Sequence, residues 1–382
     1  MTCRVLVVHP SIRPHGGGQT VAAWTLQALR GTCDLSLVTW DDVDYDGVNR
    51  TFGTTLRSGD FRVHRCPLAW RLLAATVPGN LDLLRVSVLA RQAKRLDVLH
   101  RYDVVLSTHN EIDVGRRAIQ YVHYPHAYTR PPRSHYRWFH RPPGLIASYR
   151  LLCDFVSPVD LERVGRNLTI ANSRFIAARV SQVYGISPIV IQPPVPGGFP
   201  DIPWHARENG IVCLGRLAPV KQLTDAVDIV DRVRARGHDV RLYIIGTPED
   251  ARYEARLRGL AQTRADWMTL HINLTRQDMT ALAARQRYAL HPQVGEPFGI
   301  AVAELLVAGC VTFVAAPGGP VEIVGDEPAL VFATPAEAVD RIDAVLRDAA
   351  VQDRLRHQLA ARRELFSAER FVHEMRHVVA HF

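Results

Sequence analysis

Short apolar, β-branched runs alternate with longer amphipathic stretches along the whole chain, and they do so in two rounds. In the first round the runs are 3–9, 34–40, 61–65, 103–108, 118–123, 168–172 and 188–192. In the second they are 210–215, 240–246, 268–272, 288–291, 311–315 and 329–332. Amphipathic stretches fall between them, at 19–30, 81–99 and 173–184, then at 221–236, 249–263, 276–286, 299–309 and 335–348. Strands separated by helix-length segments cannot be hairpins. They require parallel pairing with helical crossovers. The pattern therefore predicts an α/β chain with two parallel sheets, each covered by helices.

Between the rounds lies Gln192–Trp204 (QPPVPGGFPDIPW), with five Pro and two Gly in thirteen residues. Such a stretch is neither helix nor central strand, and it reads as an interdomain linker. The expected division is a first Rossmann-like domain over 1–191, a linker over 192–204, a second domain over 205–350, and a helical, Arg/His-rich segment over 351–382. That last segment has no strand of its own to pack on and could return to either domain. The two rounds share no detectable sequence repeat.

The chain has 382 residues, enough to bury sizeable cores without disulfides. The six cysteines, at 3, 33, 66, 153, 213 and 310, form no CxxC pair and read as buried thiols. No apolar run approaches the ~20 residues needed to cross a bilayer. The opening residues read as a buried strand rather than a signal peptide, so the expected location is the cytoplasm, at the inner face of a membrane if the contact described below is made. The formal net charge is +8, and all but two of the 46 basic residues are Arg. The two lysines, Lys94 and Lys221, are the informative cations.

Three constellations carry chemistry. The first strand runs into His9-Pro10 and then a turn containing Gly16, Gly17 and Gly18 before a helix. A glycine turn at a helix start lets a phosphate or sugar approach free N–H groups. The spacing is not G-x-G-x-x-G, so a nicotinamide site is not indicated. The second is Gly215-Arg216-Leu-Ala-Pro-Val-Lys221, directly after a strand: a planar fork and a point charge that together suit a diphosphate. The third is Gly295-Glu296-Pro297-Phe298-Gly299-Ile300-Ala-Val-Ala-Glu304, two carboxylates spanning a loop-to-helix start. Pro297 suits a first helical turn. Glu304 falls in an apolar stretch, where an unpartnered carboxylate is costly, so it needs donors. Sugar or ribose hydroxyls would supply them. The amides of Phe298, Gly299 and Ile300 would face an anion at the positive end of the helix dipole. His123, in the segment YVHYPH, ends a strand where side chains of parallel sheets meet ligands. The segment Ala316–Val324 (APGGPVEIV) reads alone only as a turn.

Taken in order, these motifs resemble the retaining glycosyltransferases of family 4, which have the GT-B fold of two Rossmann-like parallel-sheet domains facing a central cleft. Glu296 and Glu304 match the E-x7-E pattern, and Gly215, Arg216 and Lys221 match G-R-x4-K. The segments Asn172–Phe175 and Gln192–Val195 look like the same family. YVHYP and GGPVEIV resemble the lipid-linked-oligosaccharide mannosyltransferases that use GDP-mannose. The likeness covers nearly the whole chain, most strongly 208–325 and least 50–115.

What the resemblance implies is a metal-independent hexosyltransferase that uses a nucleotide-diphosphate sugar and no cofactor. GDP-mannose is the first donor implied, a UDP-sugar the second. Arg216 and Lys221 would neutralise the diphosphate, Glu304 would accept from the ribose, and Glu296 would hold the transferred sugar beside the amides of Phe298, Gly299 and Ile300. Gly17 and Gly18 would admit the donor phosphate, and His123 would sit near the anomeric carbon. The acceptor would be a glycan, a lipid-linked glycan or a small molecule. Two readings on the same fold stay open: a nucleotide-sugar epimerase or hydrolase, and a non-catalytic nucleotide-sugar binding protein.

Residues 114–153 contain no Asp or Glu but seven Arg, interleaved with aromatics. Helix 81–99 sets Arg85, Arg91, Lys94 and Arg95 opposite an apolar side. Together they form a candidate surface for peripheral membrane contact. A nucleic-acid partner is not expected.

Overall fold

The computed structural model describes residues 2–13, 16–76, 82–125 and 143–382. The chain divides into two compact units, Met1–Pro194 with Ala368–Phe382, and Val195–Ser367.

The first unit is built on seven strands: β1 (Arg4–Val8), β2 (Asp34–Thr39), β3 (Arg62–Arg65), β4 (Val104–Ser107), β5 (Ile119–Val122), β6 (Leu168–Ala171) and β7 (Ile189–Val190). They pair in parallel in the order β3-β2-β1-β4-β5-β6-β7. The second unit has β8 (Glu208–Leu214), β9 (Arg241–Gly246), β10 (Met268–Ile272), β11 (Gln286–His291), β12 (Val311–Ala315) and β13 (Val331–Phe332), parallel in the order β10-β9-β8-β11-β12-β13. Every apolar run read from the sequence is one of these strands. Their central members are buried on both faces, which is why they read as continuous rather than alternating hydrophobic runs. In each sheet the order reverses once, between β1 and β4 and between β8 and β11. The carboxyl ends of those strands flank the crevice where such sheets take ligands.

Several helix starts carry side-chain caps. Ser173 Oγ accepts from the Ile176 amide at 3.1 Å, Thr275 Oγ1 from Asp278 at 3.1 Å, and Asp250 from Tyr253 at 2.8 Å. The helices Tyr45–Phe52, Leu68–Thr76, Pro143–Val156 and Leu161–Arg166 are additions to the pattern read from the sequence.

The unit boundary falls inside the Pro-rich stretch, and Val195 already belongs to the second core. Residues 351–382 are shared between the units. Helix Ala349–Ala360 and the turn Arg363–Phe366 stay with the second, while helix Ala368–Ala380 returns to the first. There Phe371, Met375, Val378 and Val379 join the core beneath helix Gly17–Leu29. Among the cysteines, Cys66, Cys153, Cys213 and Cys310 are buried, but Cys3 and Cys33 are partly exposed at the outer ends of their strands. No helix of the described residues is long and apolar enough to cross a membrane.

Candidate active site

In the second unit the carboxyl ends of β8 and β11 carry the two strongest motifs. Gly215 follows β8 directly, and its amide bonds to Ile245 O at 3.1 Å. Gly246, at the end of neighbouring β9, must be glycine, because a Cβ there would sit 2.2 Å from Gly215 O. The short turn Pro219–Lys221 then swings Lys221 back over the sheet. Its Nζ donates to Glu296 Oε2 at 2.5 Å, and both side chains are nearly buried. His291, the last residue of β11, places Nε2 3.5 Å from the same carboxylate oxygen. Burial alone would push the Glu296 carboxyl up. His291 and Lys221 outweigh it and hold the pKa at about 2. Glu296 is therefore ionised at neutral pH and can only accept hydrogen bonds.

The segment that follows presents backbone rather than side chains. Phe298 is buried and packs against Phe366 at 6.1 Å. Gly299 has φ +94°, a left-handed conformation that favours glycine, and it opens helix Ile300–Val307 with no side-chain cap. Among the described residues the amides of Phe298, Gly299 and Ile300 have no acceptor. The helix start therefore offers bare N–H groups to an anion. Gly318 and Gly319, read from the sequence only as a turn, let a second loop press on this one. Gly319 N bonds to Glu296 O at 2.8 Å, and a Cβ on Gly319 would strike Pro297 O at 2.2 Å.

Not every predicted residue joins this cluster. The Arg216 guanidinium turns to Glu249 in a largely exposed ion pair. Glu304, the buried carboxylate expected to need donors, finds one in Arg276, which also donates to Pro196 O at 2.8 Å and lies over the Phe199 ring. Sequence reading missed Arg276, His291 and Glu249. Each lies in a segment without a motif and becomes meaningful only when strands adjacent in the sheet bring it to the crevice.

The first unit assembles its own group at the ends of β1 and β4. Helix Gly17–Leu29 starts at Gly17 after Gly16 (φ +87°), again without a side-chain cap. A Cβ on Gly18 would lie 3.6 Å from His123 Nε2 and 3.9 Å from His9 Cε1. His123 Nε2 donates to Thr108 O at 3.0 Å, and Asn110 Oδ1 accepts from the His123 and Tyr124 amides at 2.7 and 3.1 Å. His9 is fully buried and bonds Thr108 Oγ1 through Nδ1 at 3.0 Å. Burial first, then His109 and His123, lower its pKa well below the usual range. Neither His9 nor Thr108 was singled out from the sequence.

The candidate membrane surface changes on inspection. Arg91 and Lys94, read as part of a basic membrane-contact surface, donate to the carbonyls of Val156 and Pro158 at 3.2 and 3.0 Å and so tie helix Asp82–His100 to the end of helix Pro143–Val156 and the residues after it. Arg85, Arg91 and Arg95 stay exposed. Residues 126–142 of the acid-free stretch lie outside the described residues.

Residues 199–363 match the family model of the glycosyl transferases group 1. That span takes in nearly all of Val195–Ser367. A curated relative, an uncharacterized glycosyltransferase, YqgM, of Bacillus subtilis (strain 168), is 27% identical over 168 residues, 43% of this chain. The chain spans about half the length of that relative, 46%. Among solved structures, sucrose-phosphate synthase from Thermosynechococcus elongatus superposes with a TM-score of 0.70 at 15% identity, covering 99% of this chain and 98% of that one. Anabaena Alr3699/HepE, solved in complex with UDP and glucose, gives 0.67 at 15% identity, with 100% of each chain covered. The fold is GT-B.

Proposed function

We propose that the chain is a retaining hexosyltransferase that takes its sugar from a nucleotide-diphosphate donor and transfers it to a glycan, lipid-linked or small-molecule acceptor. The observation that carries this reading is the Lys221–Glu296 pair, set beside the bare amides of Phe298, Gly299 and Ile300 at the reversal point of a parallel sheet. A cation and helix amides suit a diphosphate, and a carboxylate that cannot protonate suits sugar hydroxyls. The family match to group 1 glycosyl transferases over the same residues supports the reaction class.

In the proposed reaction the bond from the anomeric carbon to the diphosphate oxygen breaks, and the acceptor oxygen bonds the same face of that carbon. The acceptor's proton passes to the departing phosphate oxygen. Lys221, with Arg216 once released from Glu249, offsets the charge that develops on the leaving diphosphate, and no metal is called for in this scheme. Glu296 accepts from the sugar hydroxyls and favours positive charge at the anomeric carbon. Glu304 is assigned to the ribose. In the first unit Gly17, Gly18 and His123 are assigned to the reacting sugar and its phosphate. GDP-mannose is the donor suggested by the YVHYP segment. The UDP and glucose bound to HepE make UDP-glucose the second donor to test.

Titration of UDP, GDP and ADP into wild type and Lys221→Ala tests the reading. One nucleotide should bind, and the variant should lose at least about tenfold in affinity, as expected when a charged partner of a phosphate is removed. Failure of all three to bind wild type would overturn it.

A further inference from the structure

The opposite end of the strands of the second sheet holds a cavity of about 200 Å³. It lies where β8 and β11 begin, so the length of the strands separates it from Lys221 and Glu296. Its walls include Arg207, Arg363, Arg356, Trp204, Gly309 and Cys310. Arg207 is only 6% exposed and has no carboxylate within ion-pair distance among the described residues. Its acceptors are two carbonyls, Ile202 O at 2.9 Å and Gln286 O at 3.4 Å. Arg363 has neither an ion pair nor a hydrogen bond from its side chain among the described residues, and its Nε is buried. The two guanidiniums converge on Gly309. A Cβ there would meet Arg207 Nη2 and Arg363 Nη2 at 2.7 Å each, so the nitrogens are no further apart than twice that distance.

Two like charges held side by side repel, and the buried Arg207 has only carbonyls to answer its charge. The carboxyl end of helix Ile300–Val307, which stops beside them, offsets only part of this. Arg356 is answered by Asp353 at 2.9 Å and lies over Trp204 at 4.8 Å. Asp201 stands on the wall but pairs with neither Arg207 nor Arg363. An anion with several acceptor oxygens is a partner that two such forks can share.

We infer that this cavity is a second anion site, built by Arg207 and Arg363 around Gly309 to take the phosphate group of a small phosphorylated compound. The volume exceeds a bare phosphate and leaves room for the remainder. This inference does not depend on the donor reading.

The test follows the thermal unfolding of the full chain while inorganic phosphate is titrated at constant ionic strength. Wild type should be stabilised saturably, as a ligand of the folded state requires. The response should persist in Lys221→Ala. In Arg363→Met phosphate affinity should fall about tenfold or more, while stability without phosphate stays equal or rises, because one repelling charge is gone. Arg363→Lys, which keeps the charge but loses the fork, should fall between. Absence of a response in wild type would overturn the inference. So would a response that disappears in Lys221→Ala, since phosphate would then be sitting among the donor-site residues. An Arg363→Met chain that is less stable yet binds phosphate as wild type does would show the guanidinium to be purely structural.

Discussion

Glu296 is a carboxylate arranged to stay charged, and that arrangement has a signature in stability. Its folded pKa of about 2 lies below its ordinary value of 4.5. The unfolded chain therefore binds a proton that the folded chain refuses. The pair contributes stability that is complete above about pH 4.5 and is lost as pH falls through about 2. Glu296→Gln should be less stable than wild type at pH 7, because Lys221 loses its counter-charge, and the difference should shrink as pH drops from 5 toward 3. Urea denaturation across that range measures it. His9 follows the same sign in a different window. Its lowered pKa means that the unfolded chain takes up a proton below about pH 6.5 while the folded chain resists it. Wild type should lose stability as pH falls below 6.5, and His9→Gln, which keeps a polar group near Thr108, should lose less. Neither effect is legible from sequence, since each depends on which side chains the sheet order brings within a few ångströms.

Elements were easier to read than sites. The strands follow from β-branched runs with no competing period, and the main helices from 3.6-residue periodicity. The motif around Glu296 was legible because it is local: loop, helix start and carboxylates lie within ten residues. The partners that complete it come from other strand ends and were not. Helix Ile300–Val307 tests the value of the local geometry. Gly299 has φ +94°, and a Cβ would lie 3.1 Å from Pro320 Cγ. Gly299→Ala should cost about 1–2 kcal/mol in backbone strain, and it should weaken nucleotide binding more than Ala301→Gly does, because it re-aims the bare amides. Helix Pro143–Val156 carries a different expectation. Leu151, Leu152 and Phe155 are exposed there, Phe155 at 82%. If this face meets a bilayer, vesicles containing anionic lipid should sediment wild type, and Leu151→Ser with Phe155→Ser should release it without altering nucleotide affinity. Failure of wild type to sediment would remove the membrane from the proposal, leaving glycan and small-molecule acceptors, and equal sedimentation of both would place the contact elsewhere.

At the scale of the molecule, the last helix decides how the two units depend on each other along the chain. The sequence leads one to expect two domains with a Pro-rich junction but does not say where residues 351–382 belong, because an amphipathic helix does not name the face it covers. The structure gives Ala368–Ala380 to the first unit, where Phe371 and Met375 are fully buried and Val378 and Val379 nearly so. Arg376 Nε donates to Ala28 O at 2.6 Å, and Arg370 Nη2 to Gln192 O at 2.7 Å. Burying four such side chains is worth roughly 1.5–3 kcal/mol each. Their sum is comparable with the whole stability of a typical domain, about 5–15 kcal/mol. Removing the chain after Ser367 should therefore unfold the first unit and spare the second. In calorimetry the truncated chain should lose one transition and keep the other, and the surviving transition should still shift upward with the nucleotide that wild type binds. If both transitions vanished together, the second core would depend on the first through something other than its own packing. If both survived, the returning helix would be an ornament rather than part of the first core.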